Sequence, residues 1–167
     1  MGEKKLYFIY NPHSGREQIR TRLADILQIF SEAGYDMEVC PTRERKDAVK
    51  RIRELPDGYD LVVCSGGDGT MDEVVQGMMQ REKKIPIGYI PSGTVNDFAR
   101  SLKIPRNMLK AARIAVKGRN FPCDMGTFNE QHFVYIAAFG IFTDVAYSTN
   151  QNVKNVLGHM AYLLEGM

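Results

Sequence analysis

Three aspartates, Asp68, Asp97 and Asp124, and three glycine-containing loops are where this sequence could do chemistry. The loops are "NPHSG" (Asn11 to Gly15), "GGDGT" (Gly66 to Thr70) and "PSGTVNDF" (Pro91 to Phe98), each combining glycine with small hydroxyl or amide side chains. Glycine lets backbone amides approach a ligand without a Cβ in the way, and amides at the start of a helix favour phosphate. A carboxylate among them would repel phosphate unless a divalent cation or a hydrogen-bond donor stood between, so Asp68 points to a metal-nucleotide site. In such a site Asn11, Ser14, Thr70 and Thr94 would donate hydrogen bonds to a polyphosphate. Asp68 and Asp97 would hold a hydrated cation, with Asp124 joining them.

The segments around the loops predict how they are positioned. Leu61 to Cys64 form an unbroken apolar run that suits a central parallel strand covered on both faces. After the loop, Met71, Val74, Val75, Met78 and Met79 recur at helical spacing, with Thr70 expected to cap the first turn and Asp72 and Glu73 to lie in it. "KLYFIY" reads as a first strand ending at "NPHSG". Ile19 to Ala33 carry one helical stripe that Gly34 stops. "YDMEVCPT" reads as a second strand, Ala48 to Leu55 as a short charged helix, and "IPIGYI" as a fourth strand running into "PSGTVNDFARSL". Strict alternation predicts an α/β fold, a three-layer parallel sheet with helices on both faces and right-handed crossovers. All three loops then fall at the carboxyl ends of strands, where open α/β sheets bind ligands. Near residue 120 the pattern changes to two strands around a polar turn at Asn129, Glu130 and Gln131, then a last amphipathic helix through Val153, Val156, Leu157, Met160 and Leu164. The expected domains are 1–122, binding nucleotide, and 123–167, the start of a β-rich second domain.

Composition narrows the classes. The 167 residues carry 44% hydrophobic and 25% charged residues and a net charge of +2, which gives no ground for expecting nucleic acid as a partner. Cys40, Cys64 and Cys123, widely separated, form neither a disulfide framework nor a zinc pattern and read as reduced thiols. "MGEKKLYF" lacks a signal-peptide core, and Leu6 stands where myristoylation needs Ser or Thr. The run "FVYIAAFGIF" is too short to span a bilayer, so contact with a membrane is expected at its surface, from a cytoplasmic location. An apolar hairpin and final helix predict self-association, as in a homodimer.

Each loop alone has a bland reading: "NPHSG" as a turn that ends a strand, "PSGT" as another, Asp97 as a helix cap, His13 as a surface loop residue. The succession of all three in strand-loop-helix contexts is what makes the pattern specific. Other nucleotide motifs fit badly. There is no "GxxxxGK[ST]", and "GGDGTM" has Asp72 where a dinucleotide fingerprint needs its last glycine.

"GGDGT" with "PSGTVNDFAR" and the opening "NPHSG" resembles the diacylglycerol kinase catalytic-domain family, which includes bacterial soluble diacylglycerol kinases, YegS-like lipid kinases and sphingosine and ceramide kinases. The resemblance extends through "FPCDMGTFNEQHFVYIAAFGIFTDVAYST" and covers about the first half of such an enzyme. It implies an NAD kinase/diacylglycerol kinase-like fold and transfer of the γ-phosphate of ATP, with Mg2+, to a lipid hydroxyl, above all that of diacylglycerol. It also implies that ATP is bound by Asn11, Pro12, His13, Ser14 and Gly15, by Thr42, by Gly66, Gly67, Asp68, Gly69, Thr70, Met71 and Asp72, and by Thr94. Asp68, Asp97 and Asp124 would belong to a carboxylate, water and magnesium network, and the general-base aspartate would lie beyond Met167. Asp72 departs from the asparagine that family members often have there. An NAD kinase, which shares "GGDGT", is the nearest enzyme alternative; a non-catalytic nucleotide-binding regulatory module is the alternative of another class.

Overall fold

In the computed structural model, residues 4–15, 18–123, 125–128 and 131–133 are described. The apolar runs form four parallel strands, β1 (Lys4–Tyr10), β2 (Tyr35–Pro41), β3 (Leu61–Gly66) and β4 (Ile87–Pro91), in the order β2-β1-β3-β4. Between and after them come α1 (Gln18–Glu32), α2 (Asp47–Arg53), α3 (Asp68–Met79), α4 (Asp97–Ser101) and α5 (Met108–Lys117). A short antiparallel pair, β5 (Gly126–Phe128) and β6 (Gln131–Phe133), forms a separate sheet, and β6 lies against α3.

Alternation along each strand divides the core in two, because successive side chains point to opposite faces. Leu6, Phe8, Val63 and Ile90 face α1 and α5 with Ile19, Ile26, Phe30 and Ala112. Tyr7, Ile9, Val62, Cys64 and Tyr89 face α2 and α3 with Ile52, Met71, Val74 and Met78. Every residue of β3 is buried, as expected of a central parallel strand. The layers sit close because small residues stand at the contacts. A Cβ on Gly88 of β4 would lie 2.6 Å from the Cβ of Ala115 on α5, and one on Gly77 of α3 would lie 2.6 Å from the carbonyl oxygen of Val49 on α2. Arg81, just past α3, is buried. It donates to the carbonyls of Ile52 and Leu55 and pairs with Asp57 at 3.0 Å, which ties the end of α2 to the end of α3.

The strand order matters for the site. The chain leaves β1 toward β2 on one side and later enters β3 on the other, so the carboxyl ends of β1 and β3 flank the point where the winding reverses. Ligands of open α/β sheets bind in the crevice at that point.

Two elements differ from the sequence reading. The helix after "GGDGT" starts at Asp68, with Gly67 in extended conformation at its N-cap and no side-chain cap bond, so Thr70 lies inside the first turn instead of capping it. Helix α5 was not expected. Its buried residues are Met108, Ala111 and Ala112, and Asn107 caps it by accepting from the amide of Lys110 at 3.0 Å. Gly34 ends α1 as expected, at φ +80°. Asn129, Glu130 and the expected helix from Val153 to Leu164 lie outside the described residues.

Gly88→Ala is expected to destabilise the protein by about 1–3 kcal/mol in urea unfolding, since the new methyl overpacks the β4–α5 contact. Gly69→Ala, in a helical position with nothing within 4 Å of the added Cβ, is expected to be neutral or stabilising. Equal effects of the two substitutions would contradict this account of the packing.

Candidate functional site

The three loops come together at the carboxyl edge of the sheet and are bonded mainly to one another. The first follows β1 and crosses the end of β3: the amide of Asn11 donates to the carbonyl of Ser65 at 2.9 Å. Asn11 Oδ1 accepts from the amide of His13 at 2.9 Å, and its Nδ2 reaches Thr70 Oγ1 at 3.5 Å. Further along, Ser14 is buried and its hydroxyl lies 2.6 Å from that of Ser92 and 3.3 Å from the Ser92 carbonyl. Ser65 Oγ donates to Ser92 Oγ at 3.2 Å. One orientation satisfies all three hydroxyls: Ser65 donates to Ser92, Ser92 to Ser14, and Ser14 to the Ser92 carbonyl. Gly15, at φ +45°, sits so close to the loop after β4 that a Cβ there would lie 2.0 Å from the carbonyl oxygen of Ser92. Ser14 thus faces inward, and Gly15 meets the neighbouring loop with backbone alone.

The loops after β3 and β4 are joined more tightly still. A Cβ on Gly93 would lie 2.5 Å from the Cα of Gly67, and the amide of Ser92 donates to the carbonyl of Gly66 at 2.9 Å. Buried Asn96 holds a left-handed conformation at φ +56°, rare outside glycine. Its side chain accepts from the Gly93 amide at 2.9 Å and donates to the Gly93 carbonyl at 2.7 Å, closing the turn. The hydroxyl of Tyr89 donates to the Gly66 carbonyl at 3.2 Å; burial, then the nearby Cys64 and Asp68, push its pKa well above the usual tyrosine range, so it stays a donor.

Asp68 makes the strongest link. Its Oδ2 accepts from the amide of Asp97 at 3.0 Å and its Oδ1 from the amide of Phe98 at 3.1 Å, so one carboxylate caps α4 from across the crevice. Asp97 in turn pairs with Arg100 at 3.3 Å. Among the described residues no three His, Cys, Asp or Glu side chains are grouped to hold a metal ion. Asp124 lies outside the described residues.

The remaining expected residues surround this centre. Thr42 follows β2 and its amide donates to the Tyr10 carbonyl at 2.8 Å, which places it beside the first loop. Met71 is buried in the core beneath α3. Asp72 is half-buried and accepts from Gln76 at 3.0 Å; burial raises its pKa, Gln76 opposes this, and Glu73 adds to the rise. Pro12 is half-buried and His13 exposed in the first loop. Thr94 lines a cleft of about 310 Å³ together with Gly15, Gln18, Ser92, Gly93 and Arg106. Sequence reasoning missed Asn96, Ser92, Tyr89 and Arg106. The first two stand inside the quoted "PSGTVN" motif; nothing in the sequence marked the other two.

The model of the diacylglycerol kinase catalytic domain matches residues 5–128. A diacylglycerol kinase of Bacillus subtilis (strain 168) is 42% identical over 166 residues, 98% of this chain and 55% of that protein. One from Staphylococcus carnosus (strain TM300) is 38% identical over 165 residues, 98% of this chain and 54% of that protein. The crystal structure of a diacylglycerol kinase from Bacillus anthracis str. Sterne matches with a TM-score of 0.71 at 36% identity, over 78% of this chain and 45% of that one. A second structure from that organism gives 0.82 at 32% identity, over 99% of this chain and 55% of that one. The chain spans about half the length of the curated relatives it matches.

The raised pKa of Asp72 carries a sign. The folded state holds this proton more tightly than the unfolded chain, so stability falls as pH rises from 3.8 through the folded value and is level beyond it. Asp72→Asn keeps an acceptor for Gln76 and removes the titration. Its stability relative to wild type is expected to grow across that window in denaturant unfolding at stepped pH, and a constant difference would contradict the assignment.

Proposed function

The chain belongs to the diacylglycerol kinase catalytic-domain family, and from that premise we propose that it is the nucleotide-binding part of an ATP-dependent lipid kinase whose acceptor is diacylglycerol and whose product is phosphatidic acid. The observation that carries the reading is the junction of the three loops at the switch point, with Asp68 at its centre. Residues 1–122 are the nucleotide domain in this reading and 123–167 open a second, β-rich domain that carries the lipid site and the general-base aspartate. The enzyme would work in the cytoplasm at the membrane surface, as a homodimer. Among the described residues no helix is long and apolar enough to cross a membrane.

The residues fit a hydrated cation held through water better than one bound directly. Each oxygen of Asp68 accepts one amide and keeps lone-pair capacity for a water, and Asp97 and Asp124 would share that role. When bound, Mg2+ supplies charge compensation on the β- and γ-phosphates. The chain's own part is positioning. Backbone of the glycine loops with Asn11, Thr70 and Thr94 would fix the polyphosphate, and Thr42 would contact the nucleotide beside the first loop. The lipid's primary hydroxyl then attacks the γ-phosphorus in line as the bond to the β,γ-bridging oxygen breaks, ADP leaves with that electron pair, and the hydroxyl proton passes to the general base. Prepaid orientation and fixed dipoles account for most of the acceleration in such transfers.

The test is phosphate transfer from labelled ATP by the full-length protein, offered diacylglycerol, sphingosine, phosphatidylglycerol and NAD in parallel, with and without magnesium. Label is expected in phosphatidic acid and only with the metal. Label in NADP would identify an NAD kinase instead, and ATP binding without labelled product would identify a regulatory module. Asp68→Asn, which keeps an acceptor for one amide and loses the charge, is expected to lower the rate roughly a hundredfold or more, the scale for losing one preorganised electrostatic group. Undiminished turnover by this variant would remove Asp68 from the mechanism.

A further inference from the structure

We infer that Arg106 is a phosphate-binding residue of this site, holding the terminal phosphates of the nucleotide in the cleft between the start of α1 and the loop after β4. The inference rests on the reading of the protein as a nucleotide-dependent kinase and assigns a residue that no loop motif contains.

The cleft has a volume of about 310 Å³, at the small end of ligand sites and suited to a phosphate tail more than to a whole nucleotide. Among the described residues that line it none is acidic and one, Arg106, is cationic. Asp68 is not among them; its carboxylate is engaged by the amides of Asp97 and Phe98 at the start of α4. Gly15 and Ser92, both lining the cleft, meet through backbone alone, since a Cβ on Gly15 would lie 2.0 Å from the Ser92 carbonyl oxygen. Gln18, the first described residue of α1, lines the cleft, and the first described turn of that helix holds no acidic side chain, which suits an anion near the positive end of the helix. Arg16 and Glu17, of opposite sign, precede it outside the described residues.

Arg106 is built for the role. Its backbone is held between Pro105 and the Asn107 cap of α5, while the side chain is exposed to the cleft. Arg51, Arg81 and Arg100 each have a carboxylate partner, whereas among the described residues Arg106 pairs with none. A planar guanidinium matches two phosphate oxygens at once, which a lysine cannot do.

The experiment is titration calorimetry of the full-length protein with ATP, ADP and adenosine in the presence of magnesium, on wild type, Arg106→Gln and Arg106→Lys. The glutamine variant is expected to bind ATP roughly ten- to a hundredfold more weakly, the scale of one charge-assisted contact, with adenosine affinity unchanged. The lysine variant is expected to recover part of the loss. ATP binding equal in wild type and Arg106→Gln would overturn the inference and leave the kinase reading intact, as would an equal loss for adenosine and ATP, which marks a structural role. Wild type that binds no ATP would overturn both.

Discussion

The carboxylate of Asp68, bonded to two amides of a neighbouring loop, is the contact on which the arrangement of the site depends. Loops at the carboxyl edge of a parallel sheet carry backbone groups that neither strands nor helices satisfy, and buried ones must find partners. Here they find mainly each other. Asn11 reaches Ser65, Ser92 reaches Gly66, and Asp68 takes the amides of Asp97 and Phe98. Three segments distant in sequence are thus fixed before any ligand arrives, and ordering costs that binding would otherwise incur are already met by folding.

The short helix α4 shows what this requires. Residues Asp97–Ser101 make little more than one turn, too short to hold a helix by themselves. It stands because Asp68 caps it and because Asn96 turns the chain into it through a left-handed conformation, a strain of order 1–3 kcal/mol that its two bonds to Gly93 offset. A side chain that serves as scaffold in this way keeps its charge fixed in place. Two of the roughly four lone-pair positions of the carboxylate are occupied by amides, which sets the direction in which the others point.

Much of this was legible in the sequence and some was not, for physical reasons. The strands were legible because a parallel sheet buried on both faces demands unbroken apolar runs, and Leu61 to Cys64 is one. The loops were legible because glycine and small polar residues recur wherever an apolar strand run gives way to a helical stripe. Helix α5 was legible but passed over: Met108, Ala111 and Ala112 share a buried face opposite Lys110 and Arg113, with Asn107 as its cap, while Ile114 is half exposed and off the stripe. The start of α3 was misplaced because Thr70 looks like a cap, whereas the extended backbone of Gly67 lets the helix begin at Asp68. Ser14 was expected to face a ligand, and its inward hydroxyl depends on Ser92, a partner that only the folded chain brings near. Asn96 closes its own turn on Gly93, three residues earlier, whereas Arg106 meets the loop after β4 and the start of α1 only in the folded chain.

The two sides of the loop junction differ in charge in a way that follows from the winding of the sheet. The chain turns outward from β1 into α1 on one face and from β3 into α3 on the other, so the first turn of each helix approaches the crevice from opposite layers. On the α3 side stands Asp68, already engaged with α4; on the α1 side the described residues of the cleft include Arg106 and no carboxylate. A polyphosphate lying across the junction would meet donors on one side and, through water and a cation, an acceptor on the other. Such a gradient favours one orientation of an asymmetric anion, because reversing it would set phosphate charge against the carboxylate without compensation. The same loops that join the layers thereby give the crevice a direction.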